Sequence, residues 1–168
     1  PDLQKIAYFN YTLPGVYLNL QRKPFDDVRV RRAVHLGLDR QELRQTVTFG
    51  EGAFTPPPPI IYNLAVTGIG LKPDEYLKLP GWRQPKEQDR AEAKRLLAEA
   101  GYPGGLKATL KYRAGAATPG KFAEPVAGQL KSIGLDVTVQ PVEDAAYVAQ
   151  VERDRNYEIV THGLGGGL

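Results

Sequence analysis

The chain has 168 residues, 42% of them apolar and 24% charged, with a net charge of +3. That is the composition of a globular domain with its own core, and no stretch nears the roughly 18 apolar residues of a membrane-spanning helix. Cysteine is absent, which excludes disulfides, thiolate metal sites and cysteine nucleophiles. Met is also absent and the first residue is Pro1. The sequence therefore reads as a segment of a longer protein, and its start carries no information about compartment.

The basic residues gather at Arg22, Lys23, Arg29, Arg31 and Arg32, beside Asp26, Asp27 and Asp39. Nucleic-acid binding needs a basic stripe interleaved with stacking aromatics. Arginines among carboxylates on one helix read instead as an ion-paired, solvated face, and no nucleic-acid partner is expected.

In chain order, Val16 to Leu20 alternates, with Val16, Leu18 and Leu20 on one side and Tyr17 and Asn19 on the other, as a strand does. Asp26 or Asp27 can cap a helix that turns Val30, Ala33 and Val34 inward. Asp39 and Glu42 have capping-box spacing for a second short helix ending near Gly50. Residues 51 to 86 show no period, and Pro56 to Pro59 must be extended. Asp89 and Glu92 form another candidate box, followed by Ala93, Leu96, Leu97 and Ala100 at helical spacing and a stop at Gly101.

Lys107 to Tyr112 alternates as a strand. Thr118 and Pro119 open a helix with Phe122, Val126, Leu130 and Ile133 along one stripe. Pro125 predicts a kink or a delayed start there, and Gly134 ends the helix. Leu135, Val137 and Val139 form a strand, Asp144 caps a short helix through Val151, and Tyr157 to Thr161 forms the last strand. Strand, helix, strand, helix, strand makes three parallel strands and an α/β class. No repeat and no second domain is apparent, so residues 1–168 are taken as one domain.

Four groups of residues could carry chemistry. Gly115 to Phe122, GAATPGKF, meets the phosphate-cradle pattern at Gly115, Gly120 and Lys121 but has Phe122 where a magnesium-binding hydroxyl belongs. A nucleotide-binding enzyme using Gly115–Lys121 is thus the alternative to a simple Gly-rich turn. His35 and His162 are the only histidines, too few for a zinc site. His35 reads as a core or edge residue, while His162 ends a strand, where α/β ligands collect. Ser132 near a helix end lacks the base and acid of a nucleophilic triad. Tyr8, Tyr11, Tyr17, Tyr62, Tyr76 and Trp82 suit either a ligand- or lobe-facing surface or packing under a long loop.

VYLNLQRKPFDDVRVRRAVHLGLDR, Val16 to Arg40, resembles the family 5 solute-binding proteins, the oligopeptide, dipeptide and nickel binders. Asn19, Pro24, Phe25, Asp27, Arg29, Val30, Arg31, Ala33, Asp39 and Arg40 carry the first signature. DRAEAKRLLAEAGYP, from Asp89 to Pro103, resembles the second, and Ile133, Gly134, Leu135 and Val137 the third. The resemblance implies one lobe of a type II periplasmic-binding-protein-like fold, with a mixed sheet and a parallel β-α-β-α-β second half. It implies the core of the C-terminal lobe, with the N-terminal lobe and the return segment elsewhere.

The function implied is that of the substrate-binding component of an ABC importer, a binder and not an enzyme. It would need no cofactor and no metal, and would work in the periplasm or outside the cell. Its partners would be a peptide or other small solute, the N-terminal lobe and the ABC permease. By the same resemblance the ligand-facing residues are Tyr17, Asn19, Phe54, Tyr62, Thr161, His162, Gly163 and Leu164. Leu164 stands where peptide binders carry Trp, and no Asp follows it through Leu168.

Overall fold

The computed structural model describes residues 12–48 and 72–165. The proline run, Phe54, Tyr62, Tyr8 and Tyr11 lie outside them. Strand β1 spans Thr12–Leu18, and helices α1, Val28–Gly37, and α2, Arg40–Thr48, follow. A short turn, α3, covers Pro73–Tyr76 ahead of α4, Glu87–Glu99. Then come β2, Leu106–Arg113, α5, Ala117–Lys131, and β3, Leu135–Val142. Helix α6, Asp144–Tyr147, widens into a π turn over Val148–Arg153, and β4, Ile159–Gly165, closes the order.

The described strands form one mixed sheet in the order β1-β4-β2-β3. Strand β2 is parallel to β3 from Leu106↔Leu135 to Arg113↔Val142, and parallel to β4 at Leu110↔Ile159 and Lys111↔Val160. Strand β1 runs antiparallel to β4, with Tyr17 opposite Val160. The α/β reading and its three parallel strands are therefore found as expected.

Alternation places two sets of side chains on the two faces of the sheet. Val16, Leu18, Ala108, Leu110, Leu135 and Ile159 belong to the main core with Ala123, Val126 and Leu130 of α5. Helix α5 packs on β2, β3 and β4, while α1 packs on α4 and α2 on α5. A second, smaller cluster joins Val142, Tyr147, Val151 and Val160, with Tyr17 and Tyr157 against it. The period-two pattern of β1 is thus split correctly, except that Leu20 is exposed. The strand ends at Leu18, and the chain turns at Asn19, whose carbonyl accepts from Arg22 N–H.

The caps hold in part. Asp27 caps α1, its carboxylate accepting from Arg29 N–H at 2.8 Å. The Arg29 guanidinium on Asp27 holds that carboxyl down at about 2. Arg31 donates to the carbonyls of Phe25 and Asp26, so two of the four arginines of the basic cluster, Arg29 and Arg31, are engaged locally. Asp39 Oδ1 accepts from Gln41 and Glu42 N–H at the start of α2. The return limb of that box comes from elsewhere: Asp39 N–H donates to Gln129 Oε1 at 2.8 Å, and Glu42 accepts from Gln129 Nε2.

Asp89 does not cap. It lies inside the first turns of α4, fully buried, accepting from Gly81 N–H, Arg83 Nε and Lys86 Nζ at 2.9, 2.7 and 2.7 Å. Asp144 likewise makes no cap bond; it pairs with Arg113 at 2.6 Å. Helix α5 starts at Ala117 and runs through Pro125 to Lys131, so the delayed start is not seen.

His35 sits at the surface, not in the core. Its Nε2 lies 3.1 Å from the Pro80 carbonyl oxygen and its Nδ1 3.0 Å from Arg40 Nη2. Burial first, then the Arg40 charge, push its pKa below the ordinary value. The unfolded chain therefore takes up this proton more readily, and stability should fall as pH drops through about 6.5. Denaturation midpoints between pH 8 and pH 5 should fall more for the wild type than for His35→Gln; parallel curves would contradict this role.

Candidate functional site

The parallel strands β2, β3 and β4 all end on one edge of the sheet, at Arg113, Val142 and Gly165. Ligand sites of open α/β sheets lie beyond that edge. Because β1 is antiparallel, its opening residues share it: Leu13 faces Leu164, Pro14 faces Gly163 and Gly15 faces His162. Helices α5 and α6 also begin there.

Glycine matters at Gly15, where an added Cβ would lie 3.0 Å from the Tyr17 ring, tight enough to displace it. Tyr17 and His162 occupy the face opposite the main core, with ring centroids 6.4 Å apart, edge to face. The Tyr147 ring stacks on His162, with centroids 6.2 Å apart and planes 12° from parallel. Together with Glu152, Arg155 and Tyr157 they line an open groove of about 230 Å³.

Burial sets the electrostatics of this groove. It raises the Tyr17 hydroxyl pKa, and it pushes Tyr147 up to about 12, with the Glu152 charge adding to the effect. Both phenols stay neutral and protonated at ordinary pH. The groove therefore offers neutral hydrogen-bonding groups on aromatic walls, with one carboxylate and one guanidinium at its rim. Such a surface can orient a small polar ligand but holds no activated nucleophile. Among the described residues there is no group of three His, Cys, Asp or Glu side chains arranged to hold a metal.

The sequence-predicted residues separate into three sets. His162, Gly163 and Leu164 lie in the carboxyl half of β4 opposite the start of β1, and Tyr17, opposite Val160 near the end of β1, meets His162 on the same face of the sheet. His162 and Gly163 lie within β4 rather than in a loop after it, because the strand continues to Gly165. Asn19 and Thr161 are elsewhere. Asn19 lies beyond the opposite end of β1, buried, with Nδ2 donating to the Arg155 and Tyr157 carbonyls at 2.8 and 3.0 Å. It fastens the segment that carries Arg155 and Tyr157 to the groove. Thr161 is only 1% exposed and alternates onto the main-core face, away from Tyr17 and His162. Phe54 and Tyr62 fall outside the described residues.

The candidate groove also contains Tyr147, Glu152, Arg155 and Tyr157, which the sequence does not single out. The signal was Tyr147 three positions after Asp144 in a short helix facing the sheet, where a buried ring must meet the strand beside it. Trp82, a candidate ligand-facing ring, is instead covered by the Arg40 guanidinium at 4.7 Å and meets Tyr76 edge to face.

The phosphate-cradle alternative finds no cradle. Gly120 and Lys121 lie inside α5, which begins at Ala117, and the Gly120 N–H already donates to the Ala116 carbonyl at 3.1 Å. Only the turn at Gly115, with φ +79°, remains of a loop. Ser132 Oγ donates to the Gln129 carbonyl at 2.6 Å, a helix-end role.

Known proteins agree with this architecture. The structure of MppA, a periplasmic murein tripeptide-binding protein in its unliganded open form, superposes with a TM-score of 0.74 at 27% identity, over 94% of this chain and 29% of that one. Glutathione-binding protein GsiB of Salmonella choleraesuis strain SC-B67 is 31% identical over 151 residues, 90% of this chain and 27% of that protein. Heme-binding protein A of Haemophilus influenzae is 29% identical over 153 residues, 88% of this chain and 25% of that protein. The chain thus spans little more than a quarter of the length of these relatives. The family described as bacterial extracellular solute-binding proteins, family 5, middle region, matches residues 3–168. The chain belongs to that family of extracellular solute-binding proteins.

Proposed function

We propose that this chain is one lobe of a solute receptor that serves an ABC importer, and that it forms one wall of a cleft closing on a peptide or similar small solute. The observation that carries the reading is the one-sided groove of Tyr17, Tyr147 and His162. At about 230 Å³, it lies below the roughly 300–1,000 Å³ of ligand pockets that bury most of their ligand. A second lobe, opposite the sheet face that carries Tyr17 and His162, would supply the missing wall.

The ligand class follows from the groups present. Neutral phenols and an imidazole can hydrogen-bond a peptide main chain, aromatic walls accept apolar side chains, and Glu152 and Arg155 can meet an amine and a carboxylate. Relatives named for glutathione and for a murein tripeptide support a small peptide. A relative named for heme widens the range. The receptor would act in the periplasm or outside the cell and hand its solute to the permease.

Native mass spectrometry of the full-length receptor tests this. A bound species of peptide size, released on unfolding, is expected. A bound nucleotide in its place would overturn the reading.

A further inference from the structure

His162 is held by Tyr147, a member of the smaller buried cluster. Tyr147 is 1% exposed, and its hydroxyl oxygen lies 3.3 Å from His162 Nδ1. Its ring is stacked on the imidazole at 12°, which fixes the orientation of His162 about the strand. The Arg113 guanidinium lies over the same tyrosine ring at 5.5 Å. Arg113 is anchored in turn by Asp144 at 2.6 Å and by Glu152 at 4.0 Å. This chain of contacts runs from β2 through α6 and the π turn to β4.

The direction of the Tyr147–His162 hydrogen bond decides what His162 can offer a ligand. A phenol is a far stronger acid than a neutral imidazole N–H, so the phenol proton goes to the unprotonated ring nitrogen. Arg113 is a donor only and cannot accept that proton. Among the described residues the Tyr147 hydroxyl has no other hydrogen-bond partner. Nδ1 is therefore the acceptor, and the ring proton of the neutral imidazole sits on Nε2.

We propose that Tyr147 is a positioning residue that holds His162 as the Nε2–H tautomer, so that β4 presents a hydrogen-bond donor and receives an acceptor oxygen of the ligand, a peptide carbonyl or carboxylate. The ligand half of this inference rests on the proposed cleft; the tautomer half does not. An amine would find no acceptor at this point and would have to meet Glu152, the carboxylate of the groove. Tyr17, Glu152, Arg155 and Tyr157, the other polar groups lining the groove with His162, make no hydrogen bond to Nδ1 and leave it to Tyr147.

The test has two arms. The first is ¹⁵N NMR of the His162 ring in the 168-residue chain, assigned with His162→Gln. Wild type should show an imine-type Nδ1 and a protonated Nε2, and Tyr147→Phe should show both tautomers mixed. A protonated Nδ1 in the wild type, or a spectrum unmoved by Tyr147→Phe, would overturn the proposal. Should Tyr147→Phe fail to fold, the wild-type spectrum alone decides.

The second arm is calorimetry of trialanine with the full-length receptor. Tyr147→Phe should weaken binding roughly threefold to tenfold, the worth of one ordinary hydrogen bond. His162→Gln, which keeps an N–H donor, should lose less than His162→Leu. Equal losses for Gln and Leu would overturn the donor role while leaving the receptor reading intact. No trialanine binding by the wild type would overturn the peptide reading, and with it the ligand half, while the NMR arm still decides the tautomer.

Discussion

Replacing Asp89 by Ala should cost about 3–5 kcal/mol of stability, the usual effect of removing one partner from a buried ion pair. Asp89 is fully buried, and Lys86, the more buried of its two paired cations, is only 3% exposed. Burial by itself would raise the Asp89 carboxyl, but the Lys86 hydrogen bond and charge, followed by those of Arg83, outweigh it and hold the pKa below its ordinary value. Burial pushes the Lys86 ammonium down against the pull of Asp89. Without the carboxylate, Lys86 and the Gly81 N–H would be left buried with no acceptor of that strength. The segment 81–86 would lose its tie to α4, and so would Arg40, whose Nη1 donates to the Gly81 carbonyl at 2.9 Å.

Urea denaturation would measure the loss, and a change under about 1 kcal/mol would show the cluster to be solvated. The double change Asp89→Leu with Lys86→Met should recover part of the loss, because an apolar pair leaves no uncompensated charge. The depressed carboxyl also fixes the sign with pH. Its contribution is complete above the unfolded carboxyl pKa of about 3.9 and is lost as pH falls below it.

Gly105→Ala should be the second most damaging change, at about 3 kcal/mol, and Gly104→Ala should be nearly silent. The two glycines are neighbours in one turn and differ in backbone conformation and in surroundings. Gly105 has φ +88°, and an added Cβ would sit 2.5 Å from the Gly134 carbonyl oxygen. That oxygen accepts the Leu106 N–H at 3.0 Å, the bond that starts the β2–β3 ladder. Backbone cannot swing aside as a side-chain tip can, so the ladder itself must shift. At Gly104 an added Cβ meets nothing within 4 Å. Comparable losses at the two positions would mean that the Gly105 turn adapts freely.

Periodicity carried most of the architecture. Leu110, Leu130 and Ile159 obey clean strand or helix patterns, and each is fully buried. Local chemistry failed where a distant residue takes over a local role. Asp39 looked like half of a capping box, yet its return limb is Gln129, 90 residues along the chain. Asp89 had the same spacing to an acidic residue as Asp39, but three groups from residues 81–86 converge on it. Nothing in capping-box spacing separates those two outcomes.

The site was half legible for the same reason. Tyr17 and His162 follow from strand alternation and from the resemblance. Tyr147 depends on a short helix widening into a π turn, and π turns leave no strong sequence mark. Asn19 carried the family signature, and the structure gives that signature a mechanical role, pinning the 155–157 segment to the end of β1.

The proposed receptor would grip its ligand between two surfaces, and residues 1–168 would bring one of them. Titrating a single peptide by calorimetry into the full-length receptor and into this chain alone puts that to the test. Heat of binding with the receptor and none with the isolated chain is the expected pair of results; equal affinity for both would contradict it.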